Sequence, residues 1–108
     1  MILGFTFKEN CPDLRNTRVI DIIQELQTYH AKVDVYDPWV DSAEMQHEYG
    51  IPTIDKLEKG KYDAIILAVA HDQFKAMSAE GIRALGKPQC VLFDVKNLLP
   101  ASTVDDRL

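Results

Sequence analysis

The sequence has few of the residues on which metal centres and disulfide frameworks depend. Its 108 residues include two cysteines, Cys11 and Cys90, and three histidines, without a CxxC pair or a Cys/His cluster. Zinc sites and disulfide frameworks need such groupings. The sequence therefore predicts no metal site and no disulfide, and its two cysteines suit a reducing cytoplasm.

Long apolar segments and an excess of basic residues are absent as well. No stretch approaches the roughly 18 continuous apolar residues of a membrane span, and the amino terminus lacks the basic and apolar regions of a signal peptide. Lys and Arg number 12 against 17 Asp and Glu, which gives a formal net charge of −5. Nucleic acids and anionic membranes attract basic surfaces. We therefore expect a cytoplasmic protein with no nucleic-acid or membrane partner, in which a bound anion needs a local basic site.

The length and the hydrophobic content fit a single globular domain over residues 1–108. A chain of 108 residues with 46% hydrophobic residues buries roughly two thirds of its unfolded surface, which is enough for a core without staples. It is too short for a dinucleotide-binding domain together with a substrate domain. If the motifs indicate a large enzyme, the chain must be a part of one.

Apolar runs alternate with amphipathic segments along the chain. Strands are predicted at residues 2–7, 33–37, 64–70 and 90–94, and helices at residues 19–30, 40–49, from 71 onward and at 78–85, followed by a loose polar tail at 101–108. This order predicts an α/β fold, namely a three-layer, Rossmann-like, doubly wound parallel sheet flanked by helices. Candidate caps for the first helix are Asp13, Asn16 and Thr17.

The third predicted strand, residues 64–70, is apolar at every position. Strands that are covered by helices on only one side usually alternate between apolar and polar residues. A continuous apolar run is typical of a parallel strand that is buried on both faces. The sequence therefore predicts that helices cover both sides of the sheet at this strand.

Charged and polar residues follow the predicted strands. Lys8, His71 and Lys96 come after three of the predicted strands, and Asp37 is the last residue of the other one. The carboxyl ends of parallel strands meet at one edge, where doubly wound folds bind ligands. With Arg15 in the first loop, the basic residues of an acidic chain gather where a phosphate would bind. The alternative is that they are solvated loop charges.

Other candidate groups carry weaker predictions. The sequence contains neither GxGxxG nor GxxxxGK[ST], so we expect no pyrophosphate cradle of the Rossmann or P-loop kind. Cys11 has no neighbouring histidine and is more consistent with a bystander thiol than with a nucleophile. A single histidine at a strand end, such as His71, is more often structural than catalytic. Trp39 either packs on a neighbouring domain or covers the sheet edge.

Four ordered segments resemble the carboxyl-terminal UDP-binding domain of the UDP-glucose/GDP-mannose dehydrogenase family. They are GFTFKENCPDLRN at residues 4–16, VYDP at 35–38, DAIILAVAHDQF at 63–74 and LFDVKN at 92–97. The last two are most similar to the UDP-N-acetylhexosamine 6-dehydrogenase branch of Vi-antigen type, which serves surface-polysaccharide biosynthesis. The resemblance covers nearly the whole chain.

The resemblance implies roles for four residues. The aromatic and the lysine of the family's FK motif contact the nucleotide sugar, which implies that Phe7 and Lys8 bind the UDP-sugar. The arginine of the D-x-R motif reaches NAD on the other domain, which implies this role for Arg15. The final strand often ends in Asp-x-Arg with the arginine on UDP. This sequence has Lys96 there, which keeps the charge but lacks the bidentate fork.

The resemblance also implies what the chain lacks. Family members oxidise the sugar C6 hydroxyl to a carboxylate in two NAD-dependent steps that use a catalytic cysteine. That cysteine and the GxGxxG motif belong to the amino-terminal and central segments of those enzymes. Cys11 does not match that cysteine. We therefore expect no catalytic residue in residues 1–108, no turnover by this chain alone, and homo-oligomers of the full-length enzyme.

Three alternatives remain open at this point. One is the corresponding domain of a UDP-glucose 6-dehydrogenase. Another is a stand-alone signalling domain of receiver type, which shares the alternating pattern but would place paired acids after the first strand, where this chain has Phe7 and Lys8. The third is a non-catalytic assembly domain that lends its surface to an oligomer.

Overall fold

The protein is built around a five-stranded parallel sheet, seen in a computed structural model that describes residues 1–15 and 17–107. The strands are β1 (Ile2–Leu3), β2 (Val35–Tyr36), β3 (Tyr62–Leu67), β4 (Gly86–Asp94) and β5 (Asp106–Arg107), and the helices are α1 (Val19–Thr28), α2 (Ser42–Tyr49) and α3 (Asp72–Arg83). The strands lie in the order β2, β1, β3, β4, β5. The predicted α/β class and the doubly wound parallel sheet are confirmed.

Alternating side chains determine which face of the sheet each helix covers. Ile2 lies beside Val35 in the register of β1 and β2, and both are buried with Ile23 of α1. We call this side the first face. Leu3 points to the opposite side, the second face, where it is buried in one cluster with Phe74 of α3. The sheet is therefore the middle of three layers.

The first strand is shorter than predicted. Residues 2–7 were expected to form it, but β1 ends at Leu3, because Gly4 adopts a φ of 95° and turns the chain out of the sheet. The amides of Phe5 and Thr6 then donate to the Asp37 carboxylate instead of to a neighbouring strand. The residues after Gly4 become a loop at the edge of the sheet.

The other strands also differ from the prediction at their ends. β3 spans Tyr62–Leu67 instead of residues 64–70, and β2 is reduced to Val35–Tyr36. β4 begins at Gly86, four residues before the predicted start. The tail that was expected to be loose forms a 3-10 helix at Ala101–Thr103 and the parallel strand β5. This prediction was wrong because Asp105, whose carboxylate accepts from the Leu92 amide and from Arg83, ties the tail to β4.

The helices agree with the prediction more closely. Gly50, with a φ of 66°, ends α2 in the left-handed conformation, as expected. The two helical segments predicted from residue 71 and from residue 78 form α3, which is kinked at Ser78 (φ 62°). The N-cap of α1 is Arg18, which makes no side-chain cap, so the predicted caps do not hold that position. Thr17, one residue earlier, accepts from the Val19 amide at 3.2 Å, Asp13 binds Arg15, and Asn16 lies outside the described residues. None of the helices of the described residues is both long enough and apolar enough to cross a lipid bilayer.

Candidate functional site

The loops that follow β1, β2, β3 and β4 meet at the carboxyl edge of the sheet. The chain passes from β1 to β2 on one side and later to β3 on the other side, so the strand order reverses between β1 and β3. Such a switch point is where doubly wound folds bind ligands. Lys8, Asp37, His71 and Lys96 all follow strands at this edge, as the sequence predicts.

The buried carboxylate of Asp37 holds the first loop in place. Its Oδ2 accepts hydrogen bonds from the amides of Phe5 (2.7 Å) and Thr6 (3.1 Å), and its Oδ1 accepts from the amide of Trp39 (2.8 Å). Oδ2 lies also 2.9 Å from Nε2 of His71. One carboxylate thus joins the loops after β1, β2 and β3.

The His71 ring continues this network on its other side. The backbone amide of Asn10 donates to Nδ1 of His71 at 2.9 Å. Since an amide can only donate, Nδ1 is an acceptor, and the proton of the neutral ring is on Nε2, facing Asp37. The side chain of Asn10 in turn accepts from the Asp72 amide at the start of α3. His71 is fully buried, and its role here is structural.

The pKa of Asp37 reflects both its burial and its hydrogen bonds. Burial by itself raises the pKa, but the hydrogen bonds from His71, Phe5 and Trp39 outweigh it and hold the pKa below its ordinary value. The carboxylate is therefore charged at neutral pH and serves as an acceptor for four donors. It is thus an anchor for the loop.

The anchored loop presents an aromatic ring and a cation to solvent. Phe7 is 54% exposed although it is a large apolar residue, and its amide donates to the carbonyl of Asp13. Lys8 is exposed and its ammonium has no carboxylate within ion-pair distance among the described residues. The backbone is fixed, and these two side chains are left available.

The loop after β4 is also held by a buried aspartate that accepts from backbone amides. Buried Asp94 accepts from the amides of Lys96 (3.1 Å) and Leu99 (2.7 Å), which shapes the turn at residues 95–98. The Lys96 side chain is exposed and, within the part of the chain that the structure describes, pairs with no carboxylate. β3 separates β1 from β4, so the ends of these two strands lie about 10 Å apart, twice the spacing of neighbouring strands. Each is followed by a loop that carries one of the two lysines.

Arg15 differs from these lysines because it already has a partner. Its Nε and its Nη2 donate to the two carboxylate oxygens of Asp13 at 3.0 and 3.3 Å. This guanidinium lowers the pKa of Asp13. The Arg15 side chain is nevertheless 86% exposed. The structure places it in the first loop, beyond Phe7 and Lys8, with its fork oriented by Asp13.

Trp39 and Cys11 complete the edge. The Trp39 ring lies 6.2 Å from the His71 ring and its Nε1 donates to Gln73, so Trp39 covers the sheet edge, one of its two predicted roles. Cys11 is partly exposed, and both cysteines are free thiols. Sequence reasoning placed Asp37 and His71 at this edge but missed their contact. The two residues are 34 positions apart, and no spacing rule joins them.

Known proteins are similar to this chain in sequence and in fold. The UDP binding domain of the UDP-glucose/GDP-mannose dehydrogenase family matches residues 1–101. UDP-N-acetyl-D-glucosamine 6-dehydrogenases of Salmonella typhi and Pseudomonas aeruginosa are each 56% identical over 108 residues, all of this chain but 25% and 26% of theirs. The structure of a UDP-D-ManNAc dehydrogenase from Pyrococcus horikoshii matches with a TM-score of 0.74 and 25% identity, over 98% of this chain and 24% of that one.

These matches exclude one of the three alternatives that the sequence left open. They exclude the receiver-type reading, since the family match covers residues 1–101. The chain spans about a quarter of the length of the curated relatives it matches. It belongs to the UDP-glucose/GDP-mannose dehydrogenase family, as the UDP binding domain of that family.

Proposed function

We propose that this chain binds the UDP-sugar in an NAD-dependent UDP-N-acetylhexosamine 6-dehydrogenase, an enzyme that oxidises the sugar C6 hydroxyl to a carboxylate for surface-polysaccharide biosynthesis. One observation carries the proposal. At the switch point of the sheet, an anchored loop leaves Phe7 half-exposed and Lys8 unpaired among the described residues, and Lys96 emerges from the same edge in the same condition. These are side chains suited to a nucleoside diphosphate.

The charges of the edge fit a diphosphate. Lys8 and Lys96 lie in the loops after β1 and β4, two strands that are about 10 Å apart, and flexible lysine side chains on these two loops are suited to contacting one diphosphate from both sides. Each ammonium is a compact charge with three donors. The Phe7 ring offers an apolar face for the uracil or the sugar. In a chain with a net charge of −5, two exposed lysines at the ligand-binding edge of the sheet favour an anionic ligand.

The N-acetylhexosamine is proposed from the relatives. Two proteins named UDP-N-acetyl-D-glucosamine 6-dehydrogenase are 56% identical to this chain over its whole length, whereas a protein named UDP-glucose 6-dehydrogenase, from Caenorhabditis elegans, is 28% identical. The alternative substrate, UDP-glucose, is distinguished by the activity test below.

We expect this chain to contact NAD only through the exposed Arg15 side chain. The loop after β1 has no glycine beyond Gly4 and is fixed by Asp37, so it cannot bring its backbone close to a dinucleotide pyrophosphate. NAD, bound by the remainder of the enzyme, would accept the hydride. We propose that Arg15, exposed and held by Asp13, donates to this NAD across the cleft between the domains.

The catalytic groups are proposed to lie outside residues 1–108. Cys11 is partly exposed, but the nearest histidine along the network, His71, has both ring nitrogens engaged with Asn10 and Asp37. No base is therefore directed at the Cys11 thiol by these bonds. The chain's own contribution is to bind UDP, orient the sugar and hold Arg15 at the interdomain cleft.

Titration of the isotopically labelled chain with UDP tests the binding site. We expect amide shifts at Phe7, Lys8 and Lys96, and about tenfold weaker binding after Lys8→Ala, as for the loss of one charged hydrogen bond. The control is Lys59→Ala, an exposed lysine in the turn before β3, at the opposite edge. Absence of shifts at millimolar UDP, or equal losses in the two variants, would contradict the assignment.

A chimera tests the enzymatic role. In it, this chain replaces the matching quarter of the Salmonella typhi relative. We expect the chimera to reduce NAD with UDP-N-acetylglucosamine, and the isolated chain to show no turnover. A chimera that folds and prefers UDP-glucose would reassign the substrate, and turnover by the isolated chain would refute the proposed division of labour.

A further inference from the structure

The first face of the sheet is open over β3 and β4. Ala64 and Ile66 of β3 are register partners of Val91 and Phe93 of β4, so their side chains form one apolar strip. Ala64 is exposed, Val91 is 50% exposed, and Ile66 and Phe93 are only partly buried. On the second face, by contrast, Ile65 and Leu92 are completely buried.

The path of the chain explains why this strip is bare. α1 and α2 cover the half of the first face that belongs to β1 and β2, where Ile23 and Met45 are buried with Val35. The remaining connections lie on the second face, where α3 and Leu99 of the β4 to β5 connection are buried. Right-handed crossovers explain the places of α1 and α3, because the chain moves from β1 to β2 in one direction and from β3 to β4 in the other. α2 lies on the side of α1 because it leads from β2 to Thr53, which forms a parallel bridge with Val35.

The sequence of β3 nevertheless demands a cover. The run at residues 64–70 is apolar at every position, which is typical of two-sided burial, and this prediction is not met on the first face at Ala64. Parallel sheets are almost always covered on both faces. An apolar strip of four side chains, continuous from β3 to β4, is thus a surface whose sequence is adapted to contact with another element.

A groove of about 730 Å³ leads onto this strip. It lies beside the end of α1, between Leu26 on one side and Ala64 and Ile66 on the other. The acidic groups around it are already paired: Asp34 accepts from the Tyr62 hydroxyl at 2.7 Å and lies 3.7 Å from the Lys61 ammonium, and Asp63 lies 3.0 Å from the Lys87 ammonium. Most of the other lining side chains are apolar. What the groove offers to a partner is therefore mainly apolar surface.

We infer that the open strip, defined by Ala64, Ile66, Val91 and Phe93, is the docking surface for an amphipathic helix from the remaining three quarters of the dehydrogenase polypeptide. The inference rests on the proposed function, since it needs that longer polypeptide. A helix placed 8–10 Å from α1, the usual distance between packed helices, lies over β3 and β4 and completes the third layer.

Two observations favour this occupant over a second copy of the chain. The relatives are about four times as long as the part that matches, so a covering segment is present at high effective concentration. In addition, Met1 lines the groove and its nitrogen donates to the Ala64 carbonyl at 2.9 Å. Residues joined to this nitrogen in a longer polypeptide begin beside the strip.

Thiol labelling tests the docking surface. Val91→Cys and, as the matched control, Ala76→Cys on the solvent side of α3 are placed in a Cys11→Ser background, both in the isolated chain and in the chimera. Reaction with a maleimide is followed by the mass of the labelled peptide. We expect residue 91 to react at least tenfold more slowly in the chimera than in the isolated chain, and residue 76 to react equally in both.

The outcomes separate this inference from the proposed function. Equal reaction rates at residue 91 in the two proteins would overturn the docking surface, even if UDP binds. Protection in the isolated chain that grows with its concentration would assign the strip to a second copy and also overturn the inference. Val91→Lys adds a second measurement: it should leave UDP binding by the isolated chain unchanged and lower the activity of the chimera about tenfold. Failure of the unmodified chain to bind UDP would instead refute the proposed function, whatever the labelling shows.

Discussion

Nε2 of His71 donates to Oδ2 of Asp37 across 2.9 Å, in a site where both side chains are fully buried. The bond has a fixed direction, because the Asn10 amide occupies Nδ1 and leaves the proton on Nε2. It joins the loops after three strands. The stability of the chain and the position of Phe7 and Lys8 therefore depend on the same two residues.

Replacement of Asp37 by asparagine tests this dependence. An amide group has one acceptor oxygen, so its NH2 must face a donor, either the Trp39 amide or the group formed by Phe5, Thr6 and His71. We expect Asp37→Asn to lower the free energy of unfolding by about 2 kcal/mol, measured by urea denaturation. Asp72→Asn, at an exposed position in the first turn of α3, is the control and should change it by less than about 0.5 kcal/mol. Equal effects would show that Asp37 is no anchor.

The lowered pKa of Asp37 predicts how stability changes with pH. A carboxyl whose folded pKa lies below its unfolded value of 3.8 binds fewer protons in the folded state, so it stabilises the fold above that pH. Its contribution is lost as the pH falls through the folded pKa. We expect the free energy of unfolding to decrease below about pH 4 and the decrease to be smaller in Asp37→Asn. Identical acid dependence in the two proteins would contradict this account.

The alternation of apolar runs was sufficient to predict the sheet edge. Lys8, Asp37, His71 and Lys96 were placed there because each follows or ends a predicted strand, and parallel strands end together. The hydrogen bonds of Asp37 were not predictable in this way. Apart from the bond to Trp39, they join residues more than 30 positions apart. The bonds from Phe5 and Thr6 form because Gly4 turns the chain toward the end of β2.

Two errors at the chain's ends have a related cause. The predicted first strand was longer than β1 because residues 5–7 are apolar or β-branched. Their amides, however, donate to side-chain and loop acceptors. The tail after residue 100 was predicted to be loose because it is polar, yet Asp105 binds both Arg83 and the Leu92 amide. Local composition does not reveal such long-range partners.

Replacement of Lys96 by arginine tests the proposed diphosphate contact. The position is exposed and its backbone is held by Asp94 through the amide, so the fold should tolerate the change. An arginine adds a planar fork that binds phosphate oxygens in pairs. We expect Lys96→Arg to bind UDP with equal or higher affinity and Lys96→Ala to bind about tenfold more weakly, as measured by calorimetry. Unchanged affinity in Lys96→Ala would remove this residue from the site.

Gly4 is the residue at which the strand becomes the binding loop, and its substitution should be costly for two separate reasons. Its φ of 95° is unfavourable for any residue with a side chain, and an added Cβ would lie 2.6 Å from the Cβ of Val69 and 2.8 Å from its backbone nitrogen. Neither atom is the end of a flexible side chain, so the backbone at residue 4 would have to move away from Val69.

A second glycine separates these two contributions. Gly60 also has a positive φ, of 68°, but an added Cβ there meets nothing within 4 Å. Gly60→Ala therefore reports the backbone cost alone, about 1 kcal/mol, whereas Gly4→Ala should lower the free energy of unfolding by about 3 kcal/mol, because overpacking is added. Urea denaturation of the two variants gives the comparison. If Gly4→Ala cost no more than Gly60→Ala, the close approach to Val69 would add nothing to the requirement for glycine at position 4.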